Sequence, residues 1–404
     1  MIDFTIPDDL REIRDRVAAF VRDEVAPAET AMGELSRLDD VLPALRGKAR
    51  AAGLWNPHLP AEWGGLGLGP LGMALVSEVC GPSGLASLAL NAMAPDEGTM
   101  HVLLEHGTDE QKERYLKPLA AAEVRSCFAM TEREVAGADP TTLKTTAVLD
   151  GDAWVIDGEK WFITGAEGAA FALVVAMTDP EAERAHDRYS ILIVDAENPG
   201  WKVIREIPVM GTDGPGGHCE VRLEGCRVPT DALLGERGKG FAVSQSRLAS
   251  GRLGHAMRWI GVAQAALDLA ARRALEREAF GKALARHQGV QWMLADSAMQ
   301  LYAARLMVLH AAWKVENGLE HRQEIAFVKV FVAEALGDIV DRALQIHGSL
   351  GYSGDLPLER WYRDARAARI YDGPSEVHRM SIARTLLRAA AEGGTTREAT
   401  GGLT

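Results

Sequence analysis

The chain has 404 residues, 47% of them hydrophobic and 25% charged, with a formal net charge of −13. That length predicts two or three domains, and the acidic balance argues against general binding to nucleic acid or to an anionic membrane surface. No apolar run reaches membrane-spanning length, and Met1-Ile2-Asp3-Phe4 lacks the basic-then-apolar order of a secretion signal. Four cysteines (Cys80, Cys127, Cys219 and Cys226) show neither metal-ligand nor redox spacing and read as reduced thiols of a cytoplasmic protein.

From Ile6 to about Leu119 the apolar period is helical. Leu10, Ile13, Val17, Phe20 and Val21 share one face, Pro27 is expected to interrupt the pattern, and a second amphipathic stretch covers about Val41 to Ala52. Gly67, Gly69 and Gly72 spell a literal G-x-G-x-x-G. No strand precedes it and Pro70 sits inside the loop, so it reads as a turn between helices rather than a dinucleotide fingerprint. Helical spacing resumes over Leu71 to Cys80 and around Met100 to Leu116.

Between about Ala121 and Pro229 the period changes to two. Ala147-Val148-Leu149 and Ala153-Trp154-Val155-Ile156, separated by Asp150-Gly151-Asp152, predict a tight hairpin. Asp157-Gly158 offers a second turn before Lys160. Short β-rich runs at Phe171–Met177, Tyr189–Val194, Lys202–Ile207 and His218–Leu223 argue for a small barrel or sandwich. From about Gly235 the pattern is again helical. Val290, Met293, Leu294, Leu301, Ala304, Val308 and Ala311 mark one face, Ile325, Val328, Val332, Leu336, Ile339, Ala343 and Ile346 another, and Ser381 to Ala391 a last short helix. The expected divisions are a helical domain over 1–120, a β domain over 121–232, a helical bundle over 233–392 and a disordered Gly/Thr-rich tail over 393–404.

Near the end of the bundle stands Arg369-Ile-Tyr-Asp-Gly-Pro-Ser-Glu-Val-His-Arg379. Gly373 permits a sharp bend, and Pro374 suits the first turn of a following helix. Asp372 beside Ile370 and Tyr371 is expected to be partly dry, which would raise its pKa and make it a base near neutral pH. Alone, such an Asp also fits an ordinary pre-helical turn.

Helices, then strands, then a helical bundle ending in a carboxylate loop resembles the acyl-CoA dehydrogenase family, and local motifs agree. Tyr371-Asp372-Gly373-Pro374-Ser375-Glu376 resembles its catalytic-base loop, Arg277-Glu278-Ala279-Phe280-Gly281-Lys282 its Arg-x-x-Phe-Gly signature with His287-Gln288 following, and Gln345-Ile-His-Gly-Ser-Leu-Gly351 its Gln-x-x-Gly-Gly-x-Gly turn. Phe128-Ala-Met-Thr-Glu132 through Gly137-Ala138-Asp139, and Lys160-Trp-Phe-Ile-Thr164, resemble its two β-domain motifs.

The resemblance implies a fold with an N-terminal helical domain, a middle β-barrel and a C-terminal four-helix bundle. It also implies FAD held without a Rossmann fold. Met130, Thr131, Gly137, Phe162 and Thr164 would serve the flavin, with Thr131 and Thr164 offering hydroxyls to its polar edge. Phe162 stands where the family commonly has Trp. Arg277 would meet the pyrophosphate from a neighbouring subunit, with Phe280, His287, Gln288, Gln345, Gly348, Ser349, Pro374 and Glu376 completing the cofactor site of a homodimer or homotetramer. Read singly, Phe162 is equally compatible with β-domain core, and Arg277 with a solvated helix face.

In the family mechanism a carboxylate takes the α-proton of an acyl-CoA thioester while the β-hydride passes to flavin, and an electron-transfer flavoprotein removes the electrons. Asp372 matches the base. Some branches place a Glu base on the segment matching Leu248-Ala249-Ser250-Gly251-Arg252-Leu253, where this chain has no acid. Arg252, Tyr371, Gly373 and Ala138 fall on the substrate side; Ala138 also removes the Ser usual beside the flavin phosphates. Asp reaches about 1.5 Å less than the usual Glu. The Asp-Gly-Pro wording resembles a branch associated with longer, branched or hydroxylated acyl-CoAs, whereas an Asp base also occurs in nitroalkane oxidase. The loop Met210-Gly-Thr-Asp-Gly-Pro-Gly-Gly-His218 departs from the family's usual Met-Gly-x-Arg-Gly-Ser and either shapes the acyl pocket or is simply a glycine-rich turn. A flavin oxidase of the same fold is the second reading. A DNA-binding flavoprotein, suggested by Arg360, Arg363, Arg366 and Arg369, is the third; interspersed Glu359 and Asp364 argue against it.

Overall fold

The computed structural model describes residues 5–32, 38–211, 214–394 and 396, and of 248–250 the backbone only. The tail expected to be disordered lies almost wholly outside them, as do Thr212 and Asp213 and the side chains of Leu248, Ala249 and Ser250.

Pro27 does not interrupt the first helix. Asp8–Phe20 passes through a π turn, Val21–Val25, into Ala26–Met32, and a second π turn, Lys112–Leu116, likewise precedes Pro118 in Lys117–Ala120. A proline ring collides with the carbonyl one turn back, and a widened i→i+5 turn relieves that contact without ending the helix. The remaining N-terminal helices include Leu38–Ala51, Pro70–Cys80 and Asp96–His106.

The middle domain is one sheet of eight strands: β1 (Ser126–Ala129), β2 (Thr146–Asp150), β3 (Ala153–Thr164), β4 (Phe171–Met177), β5 (Tyr189–Asp195), β6 (Trp201–Glu206), β7 (His218–Pro229) and β8 (Leu233–Leu234). The hydrogen-bonded path runs β6-β7-β3-β2-β4-β5-β8, with β1 added to β4. It wraps around a single core that includes Ala147, Ile156, Val174, Val194, Cys219 and Val221. The unbroken apolar run of β4 follows from burial on both faces: Ala172, Val174 and Ala176 enter that core, while Phe171, Leu173 and Val175 pack against Leu103, Leu116 and Leu119 of the helical domain.

The β2–β3 hairpin turns at Gly151, as predicted, with Asp150 opposite Ala153. Asp157-Gly158 is not a turn. β3 continues through it to Thr164, and the register to β7 shifts between Ile156 and Gly158. Gly158 has φ +154°, and a Cβ there would lie 2.5 Å from Thr145 Oγ1, so glycine serves a bulge rather than a reversal.

The bundle consists of Gly240–Glu276, Gln288–Glu316, Arg322–His347 and Ser375–Ala391, with a short helix Leu358–Ala367 leading to the last. That last helix starts six residues earlier than its apolar spacing suggests. Helix Pro70–Cys80 lies directly on the long helix. A Cβ on Gly261 would sit 2.0 Å from the Glu78 carbonyl oxygen, and one on Gly81 2.2 Å from that of Arg258. The helical domain is thereby locked to the bundle along this helix pair.

Mid-helix Gly→Ala ordinarily gains up to about 1 kcal/mol. At Gly261 the backbone contact outweighs this: Gly261→Ala is expected to destabilise by about 1–3 kcal/mol, seen as a lower denaturant midpoint.

Candidate active site

Asp372 adopts φ +55°, a left-handed conformation that Asp tolerates better than most residues. The following Gly373 has φ +93°, and a Cβ there would lie 2.7 Å from His378 Nε2. Pro374 is the N-cap of helix Ser375–Ala391 rather than part of its first turn.

Basic side chains from three helices hold this bend. Arg252 Nε donates to the Asp372 carbonyl (2.9 Å), which also accepts from His378 Nε2 (3.3 Å). Lys329 Nζ donates to the carbonyls of Ala368 (2.7 Å) and Gly373 (3.3 Å). His255 Nε2 lies 3.1 Å from Asp372 Oδ2, and the Asp372 side chain is 21% exposed. A left-handed non-glycine residue costs on the order of 1–3 kcal/mol, and hydrogen bonds involving a charged group contribute about 1.5–3 kcal/mol each, so this shell suffices to hold it.

The expectation of a raised Asp372 pKa is overturned. Burial pushes it up, but the hydrogen bond from His255 and the charges of Arg247 and Arg252 outweigh that, and the carboxyl is held well below the usual carboxylate range. Burial in turn pushes the Lys329 ammonium down to about 8 and His378 to about 4. Arg252 is partly buried against the loop, which excludes the helix-surface reading. Tyr371 hydroxyl accepts from Trp259 Nε1 at 2.9 Å, and its ring packs on Trp259 and His255, so the phenol supports the loop.

The β-domain motifs approach through Arg247, whose guanidinium lies 4.4 Å from the Phe128 ring centre and whose charge is felt at Asp372. Phe162 stands on a β3 bulge with φ +58° and is 45% exposed, which excludes a place in the β core and leaves an aromatic face uncovered. The hydroxyl donors are engaged differently from expectation. Thr131 Oγ1 donates to the Trp161 carbonyl (2.5 Å), and Thr164 Oγ1 pairs with His218 Nδ1 (3.0 Å). Strand pairing sets Thr164 opposite His218, and the loop after β1 brings Thr131 to Trp161; sequence displays neither. Gly137 and Ala138 are exposed, and a Cβ on Gly137 would press on Thr131 Cγ2 at 3.2 Å. Underneath lies Lys160, fully buried, donating to the carbonyls of Met130 (2.9 Å) and Val175 (2.7 Å) and to Glu132 Oε1 (2.9 Å); Glu132 also accepts the N–H groups of Lys144 and Thr145.

The remaining predicted residues stand elsewhere. The long helix ends at Glu276, so Arg277 is not on a helix face. It opens a hairpin, Glu278–Ala279 paired with Lys282–Ala283, whose tip residue Phe280 is 98% exposed at φ +54°. His287 Nε2 pairs with the Ala279 carbonyl (3.1 Å), and Gln288 starts the next helix. Arg277 follows directly on the end of the continuous helix that carries Arg252, 25 residues further along, roughly 37 Å along the axis. Gln345, Gly348 and Ser349 are exposed at the end of helix Arg322–His347, 16 residues beyond Lys329, roughly 24 Å away. In one chain the two groups cannot serve one flavin ring. Glu376 is exposed in the first turn of its helix, whereas Ser375 Oγ beside it is buried without a hydrogen-bond partner among the described residues.

Sequence reasoning overlooked His255, Arg258, Arg247, Trp259, Lys329 and His378. Lys329 carried a signal, a cation inside the apolar stripe of Val328 and Val332. Arg252, His255 and Trp259 also recur at helical spacing on one face. The basic run near Arg360 is partly neutralised: Arg363 pairs with Glu359 (2.8 Å) and Arg369 with Glu334 (2.8 Å). The helix ends at Ala367, so Arg369 leaves that face.

With this arrangement in view, comparisons with known proteins agree. The N-terminal, middle and C-terminal domain models of acyl-CoA dehydrogenase match residues 7–123, 127–226 and 238–387. The chain is 39% identical to the probable acyl-CoA dehydrogenase FadE2 of Mycobacterium tuberculosis, over 96% of this chain and 97% of that one. A putative acyl-CoA dehydrogenase from Mycobacterium abscessus superposes with TM-score 0.91 at 40% identity, covering 96% of this chain and all of that one. An FAD complex of acyl-CoA dehydrogenase from Bacillus anthracis gives TM-score 0.82 at 29% identity, covering 97% of this chain and 69% of that one. Several other curated relatives are longer, this chain spanning 37% to 51% of them. The chain belongs to the acyl-CoA dehydrogenase family, whose members are FAD-dependent oxidoreductases.

Lys160→Met leaves Glu132 buried without its cation and is expected to destabilise by about 3–5 kcal/mol. Denaturation should show that loss, and Lys160→Met with Glu132→Gln should recover part of it.

Proposed function

We propose that this chain dehydrogenates an acyl-CoA thioester between its α and β carbons, with Asp372 taking the α-proton. The observation that carries this reading is the mostly buried Asp372 carboxylate, held at a left-handed bend with His255 Nε2 3.1 Å from one of its oxygens. Bound FAD supplies the acceptor for the β-hydride. The chain fits that group: Phe162 offers an uncovered ring face on the β-domain side, and Arg277 and Phe280 extend freely at the far end of the bundle. Because Arg277 is too far from the Asp372 loop of its own chain, the reading includes an assembly in which a second copy brings Arg277, Phe280, His287, Gln288, Gln345 and Gly348 to the cofactor. The Asp372 backbone N–H would bond the thioester carbonyl and stabilise negative charge building there. A carboxylate with a depressed pKa is a weak base in water; exclusion of water by bound substrate raises its basicity when the proton moves.

The Asp-Gly-Pro loop resembles that of the branch acting on longer, branched or hydroxylated acyl groups, and an electron-transfer flavoprotein is the acceptor this reading calls for. Among the described residues no helix is long and apolar enough to cross a membrane.

The direct test is anaerobic titration with a panel of acyl-CoAs, following bleaching of the oxidised flavin. Asp372→Asn should bind FAD normally and lose flavin reduction by a factor of about 10²–10⁴; a wild-type rate would remove Asp372 from the mechanism. Arg277→Ala should weaken FAD binding. Mixed assemblies of Asp372→Asn with Arg277→Ala should regain about a quarter of wild-type activity if protomers pair at random across a shared site. Complementation would be absent if each site were built within one chain.

A further inference from the structure

We propose that His255, fixed by Arg258 as the neutral Nε2–H tautomer, is a positioning residue that commits one Asp372 oxygen to a permanent hydrogen bond and leaves the other for the substrate proton. The inference rests on the reading of Asp372 as base.

The argument begins at Arg258, whose Nη2 lies 2.8 Å from His255 Nδ1. A guanidinium carries only donors and stays protonated in proteins. Nδ1 must therefore present its lone pair, and the ring's one proton sits on Nε2. That nitrogen lies 3.1 Å from Asp372 Oδ2, so it donates to the carboxylate. The ring has no freedom to turn away: it stacks on Trp259 at 6.1 Å and 23° and meets Tyr371 edge-on at 5.1 Å and 60°. Trp259 and Tyr371 are themselves joined by a hydrogen bond. Arg258, His255 and Trp259 all stand on helix Gly240–Glu276, within one turn of one another. The loop is thus aligned by a rigid element.

The charged surroundings support a neutral ring. Burial and the Arg258 charge push the His255 pKa down, against the opposing pull of Asp372, and Lys329 adds to the downward side. Arg247 and Arg252 of the same helix, Lys329 of helix Arg322–His347 and His378 of helix Ser375–Ala391 face the carboxylate, and Glu97 faces Arg258 and Arg247. Adding a proton to His255 would place N–H on Nδ1 against a guanidinium, so the ring cannot accept the proton that Asp372 acquires. When the substrate C–H bond breaks, the new O–H forms on Asp372 Oδ1, and its proton leaves from there. The lock also suits the shorter base: with about 1.5 Å less reach than Glu, Asp has less slack for a carboxylate that rotates.

Two measurements test this. In ¹⁵N-histidine NMR of the FAD-loaded wild type, the resonance lost in His255→Gln should report a neutral Nε2–H ring that does not titrate across neutral pH. Arg258→Leu should move the ring's titration upward, since the opposing guanidinium is gone while burial remains. An Nδ1–H ring, or one titrating normally in the wild type, overturns the proposal without recourse to any folded variant. In anaerobic flavin reduction, the wild type should remain active to well below the ordinary carboxylate range. The sign follows from the depressed Asp372 pKa, which keeps the base ionised as pH falls. His255→Phe keeps the stacking ring but removes the donor. It should slow reduction about ten- to a hundredfold and move the acid limb to higher pH, while His255→Gln, which retains an N–H, should recover most of the rate. An unmoved limb in His255→Phe, with Asp372→Asn inactive, sinks the positioning role alone; full activity in Asp372→Asn instead sinks the base assignment.

Discussion

The structure depends on a mutual constraint between one short acidic loop and the cations that surround it. Asp372 sits in a backbone conformation that a side chain disfavours, in a place where its charge is poorly hydrated. Arg252 and His378 take its carbonyl, His255 its carboxylate, and Lys329 the carbonyls on either side. The two cations of this shell, Arg252 and Lys329, are themselves penalised by burial and each meets a carbonyl of the loop. Burial outweighs the opposing pull of Asp372 and leaves Lys329 at about 8. Neither loop nor shell is stable alone, which explains why the bend keeps one shape.

The long helix turns this local arrangement into an architecture. One end presents Arg247, Arg252, His255 and Arg258 to the loop, and the other launches the hairpin bearing Phe280. Glycine-to-backbone contacts at Gly261 and Gly81 fix where helix Pro70–Cys80 lies against it, with Arg305 gripping Glu78 at 2.6 Å from the neighbouring bundle helix. A single rod about 55 Å long therefore runs from the Asp372 side of the bundle to the exposed Arg277–Lys282 hairpin. The β domain uses a different device at its own motif. The buried Lys160–Glu132 pair gathers carbonyls and N–H groups around Met130 and Thr131, a costly pair to desolvate and one whose value lies in fixing a turn.

Much of this could be read from the chain. Periodicity located the helices of the bundle, the β2–β3 hairpin and the change of period at the middle domain, because those patterns are set by which face meets the core. The Asp-Gly-Pro loop, the Arg277–Lys282 signature and the Lys160–Thr164 segment were legible as motifs because backbone turns demand particular residues. Local rules failed where tertiary contacts override them. Pro27 was absorbed by a π turn, and Gly158 serves a bulge against Thr145 rather than a reversal. Thr164 turns its hydroxyl to His218, set opposite it by strand pairing, and Thr131 turns its own to the Trp161 carbonyl.

The sequence by itself determined the order of helical, β and helical domains through its periodicity, and the family and its acidic loop through the resemblance of several short motifs in order. Only the tertiary structure decided the state of Asp372. Burial alone predicts a raised pKa; the sign reverses because Arg247, Arg252 and His255, more than a hundred positions away in the chain, are folded against it. The tautomer of His255 likewise depends on a guanidinium one turn along its helix meeting Nδ1 rather than Nε2. Charge interactions fall off over a few ångströms in space and are blind to separation along the chain, so no reading of neighbours in sequence could assign them.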